Sequence, residues 1–225
     1  MKQSNRLIGG LIDRGRTVSF SFNDQRFEGY PGDTLASALL ANGQRLIARS
    51  FKYHRPRGIF SAGSEEPNAL VELRSGAHLE PNTRATVTEL YEGLEATSQN
   101  YLGSLRYDLL AVNDLLSPFL AAGFYYKTFM WPRSFWERVY EPIIRASAGL
   151  GRLSGEPDPD SYDKRFLHCE ILVIGSGPSG IAAALAAGRA GARVILADED
   201  YQMGGRLNSE TYEVSGKTGA NFVGE

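Results

Sequence analysis

Ile171-Leu172-Val173-Ile174-Gly175-Ser176-Gly177-Pro178-Ser179-Gly180-Ile181 is the stretch whose reading decides the fold of the C-terminal part of the chain. Four apolar residues, Ile171 to Ile174, suit a buried parallel strand. A glycine-rich turn follows at once, and then Ile181, Ala182 to Ala184, Leu185 and Ala186 make a helix of small residues up to Gly191. Val194 to Ala197 reads as the next strand, with Asp198-Glu199-Asp200 at its carboxyl end. Each glycine has a task. Gly175 permits the turn from strand to helix, Gly177 lets a pyrophosphate approach the backbone, and Gly180 lets helix and strand lie close. The helix N-terminus, opened by Pro178 and Ser179, offers unpaired amides (Pro178 itself has none) and a positive dipole end to phosphates. Asp198 lies 18 residues past Gly180, near the spacing of the acid that binds ribose hydroxyls. Glu199 is the alternative acid for that role. Either carboxylate would repel a 2′-phosphate, which points to NAD or FAD rather than NADP. The competing reading is a merely structural glycine turn.

Upstream, Gly151 to Arg165 is polar and contains two prolines and several acids, the composition of an interdomain linker. Residues 101–150 are rich in aromatics and read as helical. Ser134 with Glu137 fits a capping box, and Pro142 is expected to kink or end its helix. The N-terminal part alternates. Val18, Phe20 and Phe22 share one face of a half-buried strand, Asn23-Asp24 turns, and Gln25 to Tyr30 returns. Asp33 is the expected N-cap of a helix with a Leu35, Leu39 and Leu40 stripe, closed by Asn42-Gly43. Leu70 to Leu73 and Thr86 to Leu90 read as further strands. The resulting expectation is α+β followed by α/β: a β-grasp module over 1–100, a helical connector and linker over 101–165, and over 166–225 the start of an incomplete Rossmann-type domain.

Composition limits the partners. The 225 residues are 42% hydrophobic and 22% charged with a net charge of −2, so no basic excess suggests nucleic acid. The apolar stretch Phe119 to Trp131 is too short to span a bilayer and contains Lys127. It reads as an amphipathic or buried segment. One cysteine, Cys169, excludes an internal disulfide. It is expected to open the buried strand as a small apolar residue. The N-terminus is polar, and the cytoplasm is the default location. His78 and His168 have no partners at ligand spacing, so no metal site is expected. His54 lies in a loop with Arg49, Lys52, Arg55 and Arg57. It reads as a hydrogen-bonded structural histidine, or else as a contact to a phosphate or partner. The arginines and Lys52 read either as neutralising cofactor phosphates across a domain interface or as a solvated face.

Met203-Gly204-Gly205-Arg206-Leu207-Asn208-Ser209 resembles the GG-R-x-x-S stretch of flavin-dependent amine oxidases, with Gln202 where that pattern usually has Arg. The resemblance implies that Gly204, Gly205 and Arg206 lie near the dinucleotide, where the guanidinium fork could meet a phosphate. Three further stretches extend the likeness: the run from Gly32 to Gly43, the run from Ser50 to Ile59, and Glu66-Pro67-Asn68-Ala69. With Gly123-Phe124-Tyr125-Tyr126-Lys127-Thr128-Phe129 they resemble the α subunits of heterotetrameric sarcosine oxidases, over nearly the whole chain. Related iron–sulfur modules carry C-x4-C-x2-C, and those slots fall here on Ser61, Glu66 and Ala69. None supplies a thiolate, so a ferredoxin-like [2Fe–2S] fold without its cluster is expected.

The resemblance implies β, γ and δ subunits as partners, with flavins and folate bound elsewhere in the complex. It implies oxidation of sarcosine to glycine, with hydrogen peroxide and either formaldehyde or 5,10-methylenetetrahydrofolate. NAD would sit in the α subunit's dinucleotide site without an evident part in turnover, so no catalytic residue is expected in this chain. FAD would take that place in the related opine, proline or glycine dehydrogenase subunits, which hand electrons onward. No third β-α repeat is visible from Asn208 to Glu225. The chain therefore reads as an N-terminal fragment, a truncated frame or one piece of a split subunit.

Overall fold

Val18, Phe20 and Phe22 are buried, alternating with Ser19 and Ser21, and form the strand β1 (Val18–Phe22) as their period of two requires. In the computed structural model, residues 3–9, 12–120, 122–123, 129, 131–200, 202–208, 213–214 and 216–223 are described. They belong to two compact units, Met1–Pro159 and Asp160–Glu225.

In the first unit, β1 turns through Asn23 and Asp24 into β2 (Gln25–Gly29). Both turn residues have positive φ, 48° and 63°, which matches the twist of an antiparallel hairpin. Phe20 faces Phe27 across it, with ring centroids 5.7 Å apart. Then come α1 (Leu35–Ala41), the short strands β3 (Ala48–Arg49) and β4 (Pro56–Arg57), β5 (Leu70–Leu73), β6 (Glu80–Arg84) and β7 (Leu94–Ser98). The main sheet runs β2-β1-β7-β5-β6, with β7 parallel to β1 and antiparallel to β5. The core consists of the inner face of this sheet and the buried side of α1, centred on Phe22, Leu35, Leu39, Val71 and Leu94.

Several expectations need correction. The N-cap of α1 is Thr34, not Asp33, and Thr34 and Ser37 form a reciprocal capping box. Asp33 is fully buried and has other work. Its carboxylate accepts from both terminal nitrogens of the Arg6 guanidinium at 2.5 and 3.1 Å, from the Tyr30 amide and from the Ser37 hydroxyl. Leu40 is 41% exposed, and α1 buries Leu35, Ala36, Ala38, Leu39 and Ala41 instead. Thr86 to Leu90 is not a strand. The carbonyls of Ala85 and Thr88 accept from the first-turn amides of Ala36 and Leu35, which lack intrahelical acceptors. The sheet has two strands beyond those expected, β6 and β7; β7 is its centre, where Leu94, Ala96 and Ser98 are buried and Glu95 is exposed.

Residues 101–150 are less regular than a helical reading implies. They hold a 3-10 segment at Leu109–Asp114, another at Arg133–Phe135, a π-type turn at Trp136–Tyr140 and α2 (Glu141–Ala148). Ser134 makes no side-chain cap. Pro142 lies in the first turn of α2, where its missing N–H costs nothing, so it starts the helix rather than ending it. Most of Phe119 to Trp131, including Phe124 to Lys127, lies outside the described residues. No helix among the described residues is long and apolar enough to cross a membrane.

The second unit has β8 (Ile171–Ile174) parallel to β9 (Val194–Ala197), joined by α3 (Pro178–Arg189). A 3-10 segment at Gly205–Asn208 follows. Then come the hairpin of β10 (Glu213–Val214) with β11 (Lys217–Thr218), and α4 (Gly219–Val223); no third parallel strand follows among the described residues. The expected burial of β8 is not seen in this unit: Leu172 is 55% and Ile174 82% exposed. Two strands and α3 cover too little surface to enclose an apolar strand on both faces. Cys169 is half-buried and precedes β8 rather than opening it.

Candidate functional site

The amide of Gly175 donates to the Ala197 carbonyl at 2.8 Å, extending the β8–β9 ladder to the start of the turn. Gly175 then takes φ 97°, a backbone that favours glycine. Gly180 faces it so closely that a Cβ at Gly180 would lie 1.8 Å from the Gly175 carbonyl oxygen. Gly177 is the N-cap of α3 with φ −65°, an ordinary conformation, and a Cβ there would meet no atom within 4 Å. So Gly180 is glycine because the protein occupies the space, whereas Gly177 borders open space. Pro178, Ser179 and Gly180 form the first turn, where the Ser179 and Gly180 amides have no acceptor within the helix. This arrangement fits a pyrophosphate lying against Gly177 and the start of α3.

Ser176 is 0% exposed and ties three segments together. Its amide donates to an Asp198 carboxylate oxygen, and its carbonyl and hydroxyl oxygens accept from the Gly204 amide at 3.0 and 3.2 Å. The other Asp198 oxygen accepts from the Asp200 amide at 2.8 Å. The Ser176 hydroxyl first, and then the Asp200 and Ser176 amides, hold the Asp198 carboxyl below the usual aspartate range. The acid at the end of β9 is thus ionised and sits at the glycine-rich turn. Asp200 beside it is raised by burial and by the charges of Asp198 and Glu199. Glu199, the alternative ribose acid, is exposed.

Gly204 and Gly205 both have positive φ, 116° and 50°. Gly205 passes so near the turn that its Cβ would lie 3.3 Å from the Gly177 Cα. The second glycine pair, distant in sequence, is therefore packed against the first. Arg206 follows it, exposed, in the 3-10 segment; Ser209 lies outside the described residues. Ser176 is expected to bind the dinucleotide as part of the turn; its buried hydroxyl also ties the turn to Gly204, a contact with no local signature in the sequence.

The basic loop of the first unit is put to internal use. His54 is fully buried with φ 51°, and its Nδ1 lies 2.6 Å from an Asp108 carboxylate oxygen, which bears out the structural reading. Arg49 is buried rather than poised for a phosphate, donating to the carbonyls of His54, Leu105 and Arg106. Arg55 pairs with Asp114 at 2.6 Å and lies over the Tyr53 ring. His78 has a carboxylate neighbour after all, Asp158, with ligand atoms within 4.8 Å. In sequence Glu66 is only a slot lacking a thiolate. It is buried, and its carboxylate accepts from the amides of Phe60, Ser61, Asn68 and Ala69.

Residues 15–101 match the family of 2Fe-2S iron-sulfur cluster binding domains, and residues 170–217 match the FAD dependent oxidoreductases. The chain is 62% identical to a sarcosine oxidase subunit alpha from Rhizobium meliloti over 95% of its own length and 22% of that protein. It is 35% identical to the subunit of the same name from a Corynebacterium species, over 94% of its length and 17% of that protein. Among solved structures it is similar to an L-proline dehydrogenase from P. horikoshii, at 20% identity and a TM-score of 0.48, covering 94% of this chain and 31% of that one. The chain is thus homologous to sarcosine oxidase alpha subunits and spans about a fifth of their length. An α+β unit followed by a dinucleotide-binding type of unit agrees with both family matches.

Proposed function

We propose that this chain is the part of a sarcosine oxidase alpha subunit that holds a dinucleotide, NAD, in the unit built around Gly175 to Gly180. The observation that carries this reading is the contrast between two glycines. Gly180 is filled up to its Cα by the protein, and Gly177 borders empty space at a helix start. Nothing in the packing of the polypeptide requires glycine at position 177, whereas a pyrophosphate does. Gly177, Ser179 and Gly180 would hold that group, and Asp198 would accept from the ribose hydroxyls through the lone pairs that Ser176 and Asp200 leave. Glu199 is the second choice for the ribose. Gly204 and Gly205 bring Arg206 to the same side, where it would meet a phosphate. When bound, a nicotinamide or flavin dinucleotide can carry two electrons; this chain's residues bind and orient it, and none is assigned a catalytic role.

The first unit is a β-grasp module and the second the opening of a Rossmann-type domain. The order β2-β1-β7-β5-β6 and the parallel β8-α3-β9 unit support these readings. The wider complex would contain β, γ and δ subunits and convert sarcosine to glycine, with flavins and folate bound outside this chain. A second reading, FAD in the same site, is favoured by the match of residues 170–217 to FAD dependent oxidoreductases. Release of the nucleotide from the purified protein by acid, followed by chromatography and absorption, separates the two. NAD absorbs in the ultraviolet alone, and a yellow flavin in stoichiometric amount would replace NAD by FAD. Recovery of neither from protein saturated with both would refute the site.

A further inference from the structure

The chain between β4 and β5 doubles back so that the amides of Phe60 and Ser61 and those of Asn68 and Ala69 point at one place. That place is filled by the carboxylate of Glu66. One oxygen accepts from Phe60 and Ser61 at 2.7 and 2.6 Å, and the other from Asn68 and Ala69 at 2.7 and 3.2 Å. Glu66 is 1% exposed, and an ionised carboxylate at that depth persists only if its charge is met. Arg84 reaches the backbone carbonyl of Glu66 and not its carboxylate. The charge is met by four converging amide dipoles, an anion-binding concavity of backbone N–H groups. Burial pushes the Glu66 carboxyl up, but the amides of Ser61, Asn68, Phe60 and Ala69 outweigh it and leave it below the usual glutamate range.

The donors have a pattern. In the iron–sulfur modules that this unit resembles, thiolates stand at the positions of Ser61, Glu66 and Ala69. Here the side chain at the middle position is bonded by the backbone of the other two. Ser61 and Ala69 offer no thiolate, and the space between the three positions is taken, so these residues do not fit a cluster. We infer that Glu66 is the resident anion of this loop: its carboxylate fills an anion nest that an inserted anionic group would otherwise occupy, and so holds residues 60–69 in place. The neighbouring Pro67 and Asn68, set by this closure, line a cavity with Arg49, Ser50, Gln99 and Asn100. Glu66 is therefore a positioning residue for that wall.

Amide hydrogen exchange on the whole 225-residue chain tests this, at constant ionic strength made up with sodium chloride. In Glu66→Ala the amides of Phe60, Ser61, Asn68 and Ala69 should exchange faster by about tenfold or more, while Phe20 and Val71 in the sheet keep their rates. Replacing part of the chloride by sodium formate, a free carboxylate, should slow those four amides again. It should do nothing in Glu66→Gln, whose side chain still fills the space. Unchanged exchange in Glu66→Ala, or no effect of formate on it, overturns the inference. If Glu66→Ala does not fold, Glu66→Gln decides: local acceleration at the same four amides supports the inference, and wild-type rates overturn it. Anaerobic incubation of the wild-type chain with ferric iron, sulfide and a thiol, followed by desalting, should leave it colourless; a stoichiometric cluster absorption would also overturn it.

Discussion

Alanine at Gly177 and alanine at Gly180 should fail in opposite ways. At Gly180 the new Cβ would stand 1.8 Å from the Gly175 carbonyl oxygen, and this neighbour is backbone that cannot swing aside. Restoring ordinary contact requires α3 to move off β8 by about 1.5 Å, an overpacking that costs on the order of 1–3 kcal/mol or more. In a unit of this size each kcal/mol lowers the melting temperature by roughly 4–8 °C, so Gly180→Ala should melt at least several degrees early. At Gly177 φ is −65° and no atom lies within 4 Å, so the fold accepts the methyl group. Stability should change by less than about 1 kcal/mol, because the unfolded chain loses freedom while alanine is a poorer N-cap than glycine. The methyl would instead stand where the pyrophosphate must approach, and one misplaced methyl in a pocket costs about 1–3 kcal/mol, or roughly 10–200-fold in affinity. Scanning calorimetry reads the first quantity and titration with NAD the second. Wild-type NAD affinity in Gly177→Ala would show that no pyrophosphate lies against this backbone. Wild-type melting of Gly180→Ala would refute the packing argument.

The same geometry sets other outcomes. Leu94→Ala removes a fully buried side chain from the central strand and should destabilise the first unit by about 2–5 kcal/mol in urea unfolding. Thr34→Ala deletes one half of the capping box of α1 and should cost about 1 kcal/mol, whereas Thr34→Ser should cost little. Asp198 is held below its ordinary range in the folded state, so its contribution is complete at neutral pH and is lost as pH falls through the folded value. The melting temperature of the second unit should be flat near neutrality and drop only in acid. In Asp198→Asn that drop should shrink and the neutral value should fall, as followed by circular dichroism at a series of pH values.

Legibility in the sequence followed how local each constraint is. β1, the hairpin at Asn23-Asp24, β5 and the β8-α3-β9 unit were readable because alternation, turn residues and glycine spacing act within a few positions. β7 is equally regular, but Thr86 to Leu90 alternates in the same way, although the Thr88 carbonyl serves the start of α1. Pro142 shows the same limit. Proline breaks a helix interior and suits a first turn, and only the position of the helix start tells the two apart.

The sequence by itself determined where the backbone must take shapes that few residues allow: Gly175 at positive φ, Gly180 against a carbonyl, and an acid one strand later. It also determined that no thiolate stands at positions 61, 66 and 69. Only the tertiary structure decided which donors meet which acceptors. Ser176 joins Asp198 to Gly204, Asp33 serves Arg6 rather than a helix end, and four amides close on Glu66. Backbone conformation is limited by sterics within a residue or two, whereas the bonds of Ser176 and Asp33 join segments 20 or more positions apart, and those of Glu66 need a loop closed on itself that no local pattern announces. The same buried carboxylate that looks in sequence like a missing cysteine becomes, in the folded chain, the centre of its loop.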